Sequence, residues 1–262
     1  MKAISLGYHD VTDGCDLPPH KKLYSLEKPH FQDHLTAIQR NAPAKSVATI
    51  EASRSWKGEI PIFLTFDDGA ASAFTFVADE LEMRGWRGHF FVITDWIGRP
   101  GYLDRHQICE LSSRGHVIGS HTCSHPERMS SLTWNELIRE WSQSCNVLAD
   151  ILGREVRVAS VANGYYSHAV GQTAMASGIQ VLFTSTPTAG IRRFGGNLIL
   201  GRFSMQRRTP PEVAGALARH KIGPRLRQAA TWYPKEAIKT LAGEQYFRIR
   251  RLVISGIQSW VT

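Results

Sequence analysis

The chain has 262 residues, of which 42% are hydrophobic and 21% are charged. This length can bury a substantial core in one α/β domain, and the composition excludes an intrinsically disordered chain. The sequence contains no apolar run of about eighteen residues, so we expect no transmembrane helix. The apolar stretch after Met1 is too short for a secretory signal, and a cytoplasmic location is therefore expected.

The net charge of +8 is concentrated near the C-terminus. Residues 1–191 carry 17 basic and 20 acidic side chains, whereas residues 192–262 carry 14 basic and 3 acidic ones. The four cysteines form no C-x-x-C pair, which argues against a structural zinc knuckle. A reducing compartment would keep them as thiols.

Strand-like and helix-like patterns alternate along the chain. Short apolar runs predict strands over residues 3–8, 60–66, 88–93, 116–120, 156–161 and 180–184. Residues 13–26 predict a loop, and helices are predicted over residues 29–40, 70–84, 106–114 and 133–152. Thr133 and Glu136 predict a capping box at the start of the longest helix, and Gly153 ends it. The alternation favours a mainly parallel sheet, with a barrel as its natural closure.

Two polar clusters directly follow predicted strands. Asp67, Asp68 and Gly69 end the first apolar run, and His121 and His125 follow the strand over residues 116–120. Each cluster alone is a weak signal, because Asp-Asp-Gly is commonly an ordinary turn and His-x-x-x-His occurs by chance. The carboxyl ends of parallel strands meet on one face, however, so we expect the clusters to lie together. One carboxylate and two imidazoles form a divalent metal site there and leave one carboxylate as a base.

Both clusters carry family motifs. The string from Thr65 to Gly69 and the string from His121 to His125 resemble the first two motifs of the NodB-type polysaccharide deacetylases, carbohydrate esterase family 4. Residues 6–11 also resemble the "YHxV" start of one branch of that family. The similarity extends from about residue 3 to about residue 215. It implies an α/β fold, a distorted, incomplete (β/α) barrel over about residues 1–215 with core motifs at 60–204, within a single domain of residues 1–262.

The resemblance also implies roles for the clustered residues. Asp68, His121 and His125 are the implied metal ligands, and Asp67 is the implied general base. Zinc is favoured, although cobalt, nickel or manganese fits similar ligands. Cys123 lies between the two histidines, but its position in the loop is expected to point away from the ion. The implied reaction is removal of acetyl groups from N-acetylated sugars, in the biosynthesis of surface polysaccharide or another glycan.

The third family motif is only partly present. Its usual form is Arg-x-Pro-Tyr-Gly, but here Ser160 stands in the arginine position and Ala162 in the proline position, while Gly164 matches. The family arginine orients the catalytic aspartate, so the sequence leaves open how Asp67 is held.

The loop that contains Gly164 is also expected to contact the substrate. The backbone N–H of Asn163 falls at the implied position of the oxyanion donor. Tyr165 and Tyr166 are candidates for stacking on a sugar ring, although loop tyrosines also serve as packing.

The last family motif, a Leu-x-His that supplies the general acid, is absent. No histidine occurs between His168 and His220. His9 and His168 are the candidate proton donors, and a metal-bound water is a further option. Two other functions stay open: a catalytically silent carbohydrate-binding scaffold, and a hydrolase of another non-peptide C–N bond.

The basic C-terminal extension, residues 216–262, is predicted to be helical. Helices are expected to begin near Pro210 and Pro234. Residues 246–254 mix basic and apolar side chains, which is compatible with packing on the barrel or with docking on an anionic membrane. Nucleic acid is not an expected partner, because aromatic residues do not interleave regularly with the charges.

Overall fold

The computed structural model describes residues 1–13, 23–43, 45–52 and 60–237. Their centre is a nine-stranded sheet. Its strands in chain order are β1 (Ile4–Tyr8), β4 (Ile62–Phe66), β5 (His89–Val92), β6 (Val117–Ser120), β7 (Val158–Ser160), β8 (Val181–Phe183), β9 (Ile191–Phe194), β10 (Asn197–Leu200) and β11 (Phe203–Ser204). A separate parallel pair joins β2 (Val11–Thr12) to β3 (Leu26–Glu27).

Helices connect most of these strands. They are α1 (Lys28–Asn41), α2 (Ala78–Glu82, preceded by a π-helical turn over Ala73–Val77), α3 (Arg105–Ser113), α4 (Trp134–Leu152), α5 (His168–Ala176) and α6 (Pro211–Ala218). Residues 222–237 form a further helix at the end of the described chain.

The sheet order is β11-β1-β4-β5-β6-β7-β8-β10-β9, and every neighbouring pair is parallel except β10–β9. Among the described residues no ladder joins β11 to β9, so the barrel is incomplete. The predicted α/β fold, a distorted, incomplete (β/α) barrel, is confirmed. Because β11 lies beside β1, the end of the barrel segment is brought next to its beginning.

The predicted strands and helices are present, and most ends shift by one or two residues. The capping box of Thr133 and Glu136 forms at the start of α4, and Gly153 ends the helix with a left-handed φ of 65°. One helix prediction is wrong: Pro234 lies inside the helix over residues 222–237 and does not begin a new one. Within the predicted loop, residues 14–22 lie outside the described residues, as does the segment 246–254.

The interior is apolar and rich in aromatic rings. Tyr8 of β1 packs against Phe31 of α1 and Phe66 of β4, each with ring centroids 5.4 Å apart. At the sheet edge, the side-chain amide of Gln228 pairs with the backbone of Ser204, accepting from its N–H at 3.0 Å and donating to its carbonyl at 3.1 Å. Across the described residues, no helix is both long and apolar enough to cross a membrane.

Three histidines are buried outside the polar cluster. Burial lowers the pKa of His34, His89 and His116 to about 4 each, so all three are neutral near pH 7. In β5, His89 lies between two backbone groups: its Nδ1 donates to the Leu64 carbonyl at 3.1 Å, and its Nε2 accepts from the Ile50 N–H at 3.0 Å. These rings are structural members of the core.

Candidate metal centre and active site

The two acidic residues of the site sit on a tight turn at the end of β4. The strand is fully buried up to Phe66, and the chain then turns with positive φ at Asp68 (73°) and Gly69 (70°). A side chain on Gly69 would place its Cβ 3.3 Å from the Val92 Cα, so a glycine suits both the backbone angle and the space. This turn directs both carboxylates to the same edge of the sheet as the end of β6.

Asp68, His121 and His125 form a compact group. One potential ligand atom from each lies within 4.8 Å of those of the other two. The Asp68 Oδ1 is 3.4 Å from the His121 Nε2 and 3.7 Å from the His125 Nε2. Tetrahedral zinc with ligands at about 2.0–2.1 Å places them about 3.3 Å apart. These residues therefore fit a divalent cation after only small adjustments.

A hydrogen bond orients the first histidine of this group. The His121 Nδ1 donates to the Ser160 carbonyl at 3.0 Å, which turns the Nε2 toward Asp68. Metal-ligating histidines commonly make such a bond with their second nitrogen. Ser160 thus supports the site through its backbone.

The electrostatics of the group favour a cation. Burial opposes ionisation of Asp68, but His121, His9 and His125 outweigh it and lower its pKa. Burial also disfavours a charged His121, yet the Asp67 and Asp68 carboxylates raise its pKa. The pKa of His125 is lowered to about 4 by burial and by His121. A metal ion would take the place of the proton on His121 and satisfy both carboxylates.

Arg202 holds Asp67, and the sequence reasoning did not identify this role. Its Nη1 donates to the Asp67 Oδ1 at 2.7 Å and its Nη2 to the Asp67 Oδ2 at 2.8 Å, with both residues about 95% buried. Burial alone would raise the pKa of Asp67, but Arg202 and then His121 bring it down to about 2. The arginine comes from the junction between β10 and β11, which the topology places beside β1.

Asp67 is held by an arginine although Ser160 stands in the arginine position of the third motif. The guanidinium missing from the third motif is supplied by a residue 42 positions later in the chain. A single arginine in the otherwise apolar run of residues 198–203 was an available signal, because buried arginines are almost always paired. What the sequence did not indicate was the identity of its partner.

The two candidate proton donors lie in different surroundings. His9 follows β1, packs against the Tyr24 ring at 4.8 Å, and interacts electrostatically with Asp67, Asp68 and His125. Its Nδ1 is buried and makes no hydrogen bond within the described residues. His168 instead begins α5 and packs edge-on against Phe194 of β9, the last strand of the sheet.

The loop after β7 lies beside the histidine loop. The Asn163 Nδ2 donates to the Pro126 carbonyl at 3.1 Å, and Asn163 and Gly164 both have positive φ. Tyr165 is only 4% exposed, so its ring packs in the interior and is not available for the predicted stacking on a sugar. Tyr166 is half-buried, with the Arg192 guanidinium over its ring at 5.2 Å.

Two aromatic side chains that the sequence did not indicate, Trp96 and Tyr102, lie beside His125. Trp96 lies 5.4 Å from the His125 ring and 4.9 Å from Tyr102, and both aromatic residues are partly exposed. The Cys123 thiol donates to the Asp95 carboxylate at 3.0 Å, so the thiol hydrogen is directed at Asp95.

The chain is similar in sequence to known polysaccharide deacetylases. The family model described as Polysaccharide deacetylase matches residues 56–182. The Bacillus subtilis (strain 168) protein named "Putative polysaccharide deacetylase YxkH" is 25% identical over 190 residues, covering 72% of this chain and 67% of that protein.

Solved structures share the fold at low sequence identity. The Streptococcus pyogenes deacetylase PplD, solved in complex with acetate, has a TM-score of 0.66 and 19% identity over 81% of this chain and 96% of its own. The polysaccharide deacetylase BC0361 from Bacillus cereus has a TM-score of 0.69 and 22% identity over 84% and 69%. IcaB from Ammonifex degensii has a TM-score of 0.65 and 22% identity over 83% and 97%.

Proposed function

We propose that this chain, which matches the family model described as Polysaccharide deacetylase over residues 56–182, is a metal-dependent hydrolase that removes acetyl groups from N-acetylated sugars. The observation that carries the proposal is the group of Asp68, His121 and His125 beside a second carboxylate, Asp67, that Arg202 keeps ionised. We propose zinc as the ion, and cobalt, nickel or manganese would suit the same donors.

The residues around the proposed cation have separate roles in amide hydrolysis. Asp68, His121 and His125 would hold a divalent ion, which would supply a Lewis acid for the acetamide carbonyl and for a water molecule. Asp67 accepts the proton of the attacking water, since its pKa of about 2 leaves it ionised at neutral pH. The backbone N–H of Asn163 is the proposed donor to the oxyanion, from a loop tethered next to the histidines.

The leaving amine must gain a proton, and we assign that step to His9. Its electrostatic interactions with Asp67 and Asp68 support this assignment, whereas the ring contact of His168 is with Phe194. In that role the imidazole of His9 donates a proton to the nitrogen as the C–N bond breaks. The products are acetate and a sugar with a free amine.

Arg202 bears on the hypothesis of a silent scaffold. The missing family arginine and acid histidine favour a silent scaffold, but Arg202 and His9 offer groups of the same chemical types. The proposed biological role is the biosynthesis of a surface polysaccharide or another glycan. Docking on an anionic membrane through residues 246–254 is a separate hypothesis that depends only on the basic charge of the tail.

Two substitutions and a metal assay test the function. Acetate release is measured with a chitooligosaccharide and with a nucleotide-linked N-acetyl sugar, and bound zinc is measured by elemental analysis. We expect Asp67→Asn to keep the metal but to lose about 10²–10⁴-fold in turnover, which is the contribution of a general base. His125→Ala should lose both metal and turnover, because it removes a ligand.

The exposed His106 provides a matched control. Its side chain is 82% exposed on α3, so His106→Ala should bind zinc and turn over as the wild type does. Full activity in Asp67→Asn would show that the base is misassigned. A wild-type protein that binds no zinc and releases no acetate from either substrate would contradict the proposed function itself.

A further inference from the structure

Glu140 is a buried carboxylate on α4 that faces the loop of the two ligand histidines. It is 8% exposed, and both of its oxygens bond to this one loop. Oε2 accepts the backbone N–H groups of Cys123 at 3.0 Å and Ser124 at 2.9 Å, and Oε1 accepts the Ser124 hydroxyl at 2.7 Å. Burying a carboxylate is costly unless its oxygens are hydrogen-bonded, and here a single loop supplies all three bonds.

The backbone of this loop is unusual. Thr122 has a φ of 71° and His125 a φ of 58°, although neither is a glycine. Such angles are unfavourable for side-chain-bearing residues and persist only where the surroundings enforce them. Here they matter, because they bring two histidines four positions apart to the same carboxylate of Asp68.

The loop is held from two sides. On the side of β5, the N–H of Thr94 donates to the Thr122 carbonyl at 3.3 Å, and the N–H of Asp95 donates to the Cys123 carbonyl at 3.0 Å. These contacts fix the carbonyl groups of the loop. The N–H groups at its centre point the other way, toward α4, and Glu140 accepts them there.

We infer that Glu140 is a positioning residue of the metal centre, which holds the loop so that the Nε2 atoms of His121 and His125 reach one cation. The inference rests on the proposed function, since it presumes that a metal binds there. Within the described residues, the hydrogen bonds of Glu140 all go to Cys123 and Ser124, so its proposed role in metal affinity acts through the loop.

Three substitutions at Glu140 separate geometry from charge. In Glu140→Gln the amide oxygen can still accept the two backbone N–H groups and the amide NH₂ can donate to the Ser124 hydroxyl, so the geometry is kept without the charge. Glu140→Asp keeps the charge but is one methylene too short to reach all three groups. Glu140→Ala removes every bond.

The experiment measures the dissociation constant for Zn²⁺ by chelator competition on the metal-free full-length protein, together with the melting temperature. We expect Glu140→Ala to bind zinc about 10–100-fold more weakly, the loss that is typical when a group that orients metal ligands is removed. Glu140→Asp should be intermediate, and Glu140→Gln should bind closest to the wild type. If the charge mattered instead of the geometry, Glu140→Asp would bind zinc more tightly than Glu140→Gln.

Glu136 on the same helix is the matched control. It is partly exposed and caps the N-terminus of α4, so Glu136→Ala should lower the melting temperature without changing the zinc affinity. Wild-type zinc affinity in both Glu140→Ala and Glu140→Asp would overturn the inference, and Glu140→Asp alone decides if the alanine variant does not fold. A wild-type protein that does not bind zinc would refute the proposed function and not this inference specifically.

Discussion

Arg202→Met is the sharpest test of how the site is built. The substitution removes a bidentate contact with Asp67, 2.7 and 2.8 Å long, between two side chains that are each about 95% buried. Breaking a buried ion pair by removing one partner costs about 3–5 kcal/mol, since the other charge stays unpaired. The Asp67 carboxylate also loses its orientation, and a small misplacement of a catalytic group lowers the rate about a hundredfold.

The loss of Arg202 should also change the pH dependence of kcat/KM in a defined direction. In the wild type, Arg202 helps to hold the pKa of Asp67 at about 2, whereas burial by itself raises it above the ordinary aspartate value. In Arg202→Met the acidic limb of the kcat/KM profile should therefore shift to higher pH. Arg202→Lys keeps a positive charge but cannot make the bidentate contact. Its acidic limb should lie between those of the wild type and Arg202→Met.

Urea unfolding and pH–rate profiles, measured side by side, provide the assay. Arg157→Met is the control, because Arg157 and Glu155 form an exposed pair and such a pair contributes at most about 1 kcal/mol. The reasoning would be refuted if Arg202→Met unfolded at the wild-type urea concentration with an unshifted acidic limb. It would also be refuted if the losses in Arg202→Met and Asp67→Asn were additive in the double variant, since the two residues are in direct contact.

Three further outcomes are expected. His9→Gln should lower turnover about 10²–10⁴-fold with zinc content unchanged, and the same loss in His168→Gln instead would reassign the general acid. The free energy of unfolding should fall as the pH drops from about 6.5 to 4. In that range His34, His89 and His116 bind protons in the unfolded chain but stay neutral in the folded protein. Each of the three histidines should account for about 3 kcal/mol of this loss. His89→Gln should therefore make the free energy of unfolding depend less steeply on pH. Gly201→Ala should lower both stability and turnover, because its Cβ would lie 2.2 Å from the Thr186 carbonyl oxygen, next to Arg202.

The alternating strands and helices could be read from the sequence because their signals are local. The capping box of Thr133 and Glu136 and the apolar run before Asp67 each lie within a few residues. The placement of Asp68, His121 and His125 followed from one topological rule, that parallel strands end on the same face. Motif resemblance then supplied their implied roles.

The pairing of Arg202 with Asp67 was not predictable in the same way. It depends on β11, a strand of two residues, lying beside β1, and so short a strand has no measurable periodicity. Tyr165 shows a related limit: its position in a loop suggested exposure, but the loop folds inward and buries the ring. Prolines favour the first turn of a helix, so Pro234 predicts a helix start, but the helix over residues 222–237 continues through it.

The bond between Gln228 and Ser204 has a consequence for association. A terminal strand leaves its peptide groups open to pairing with a strand from another molecule, which is a common route to aggregation. Here a glutamine side chain, whose amide has the same donor and acceptor as a peptide, occupies that position on β11. The helix over residues 222–237 thereby covers part of this sheet edge, using one side chain in place of an additional strand.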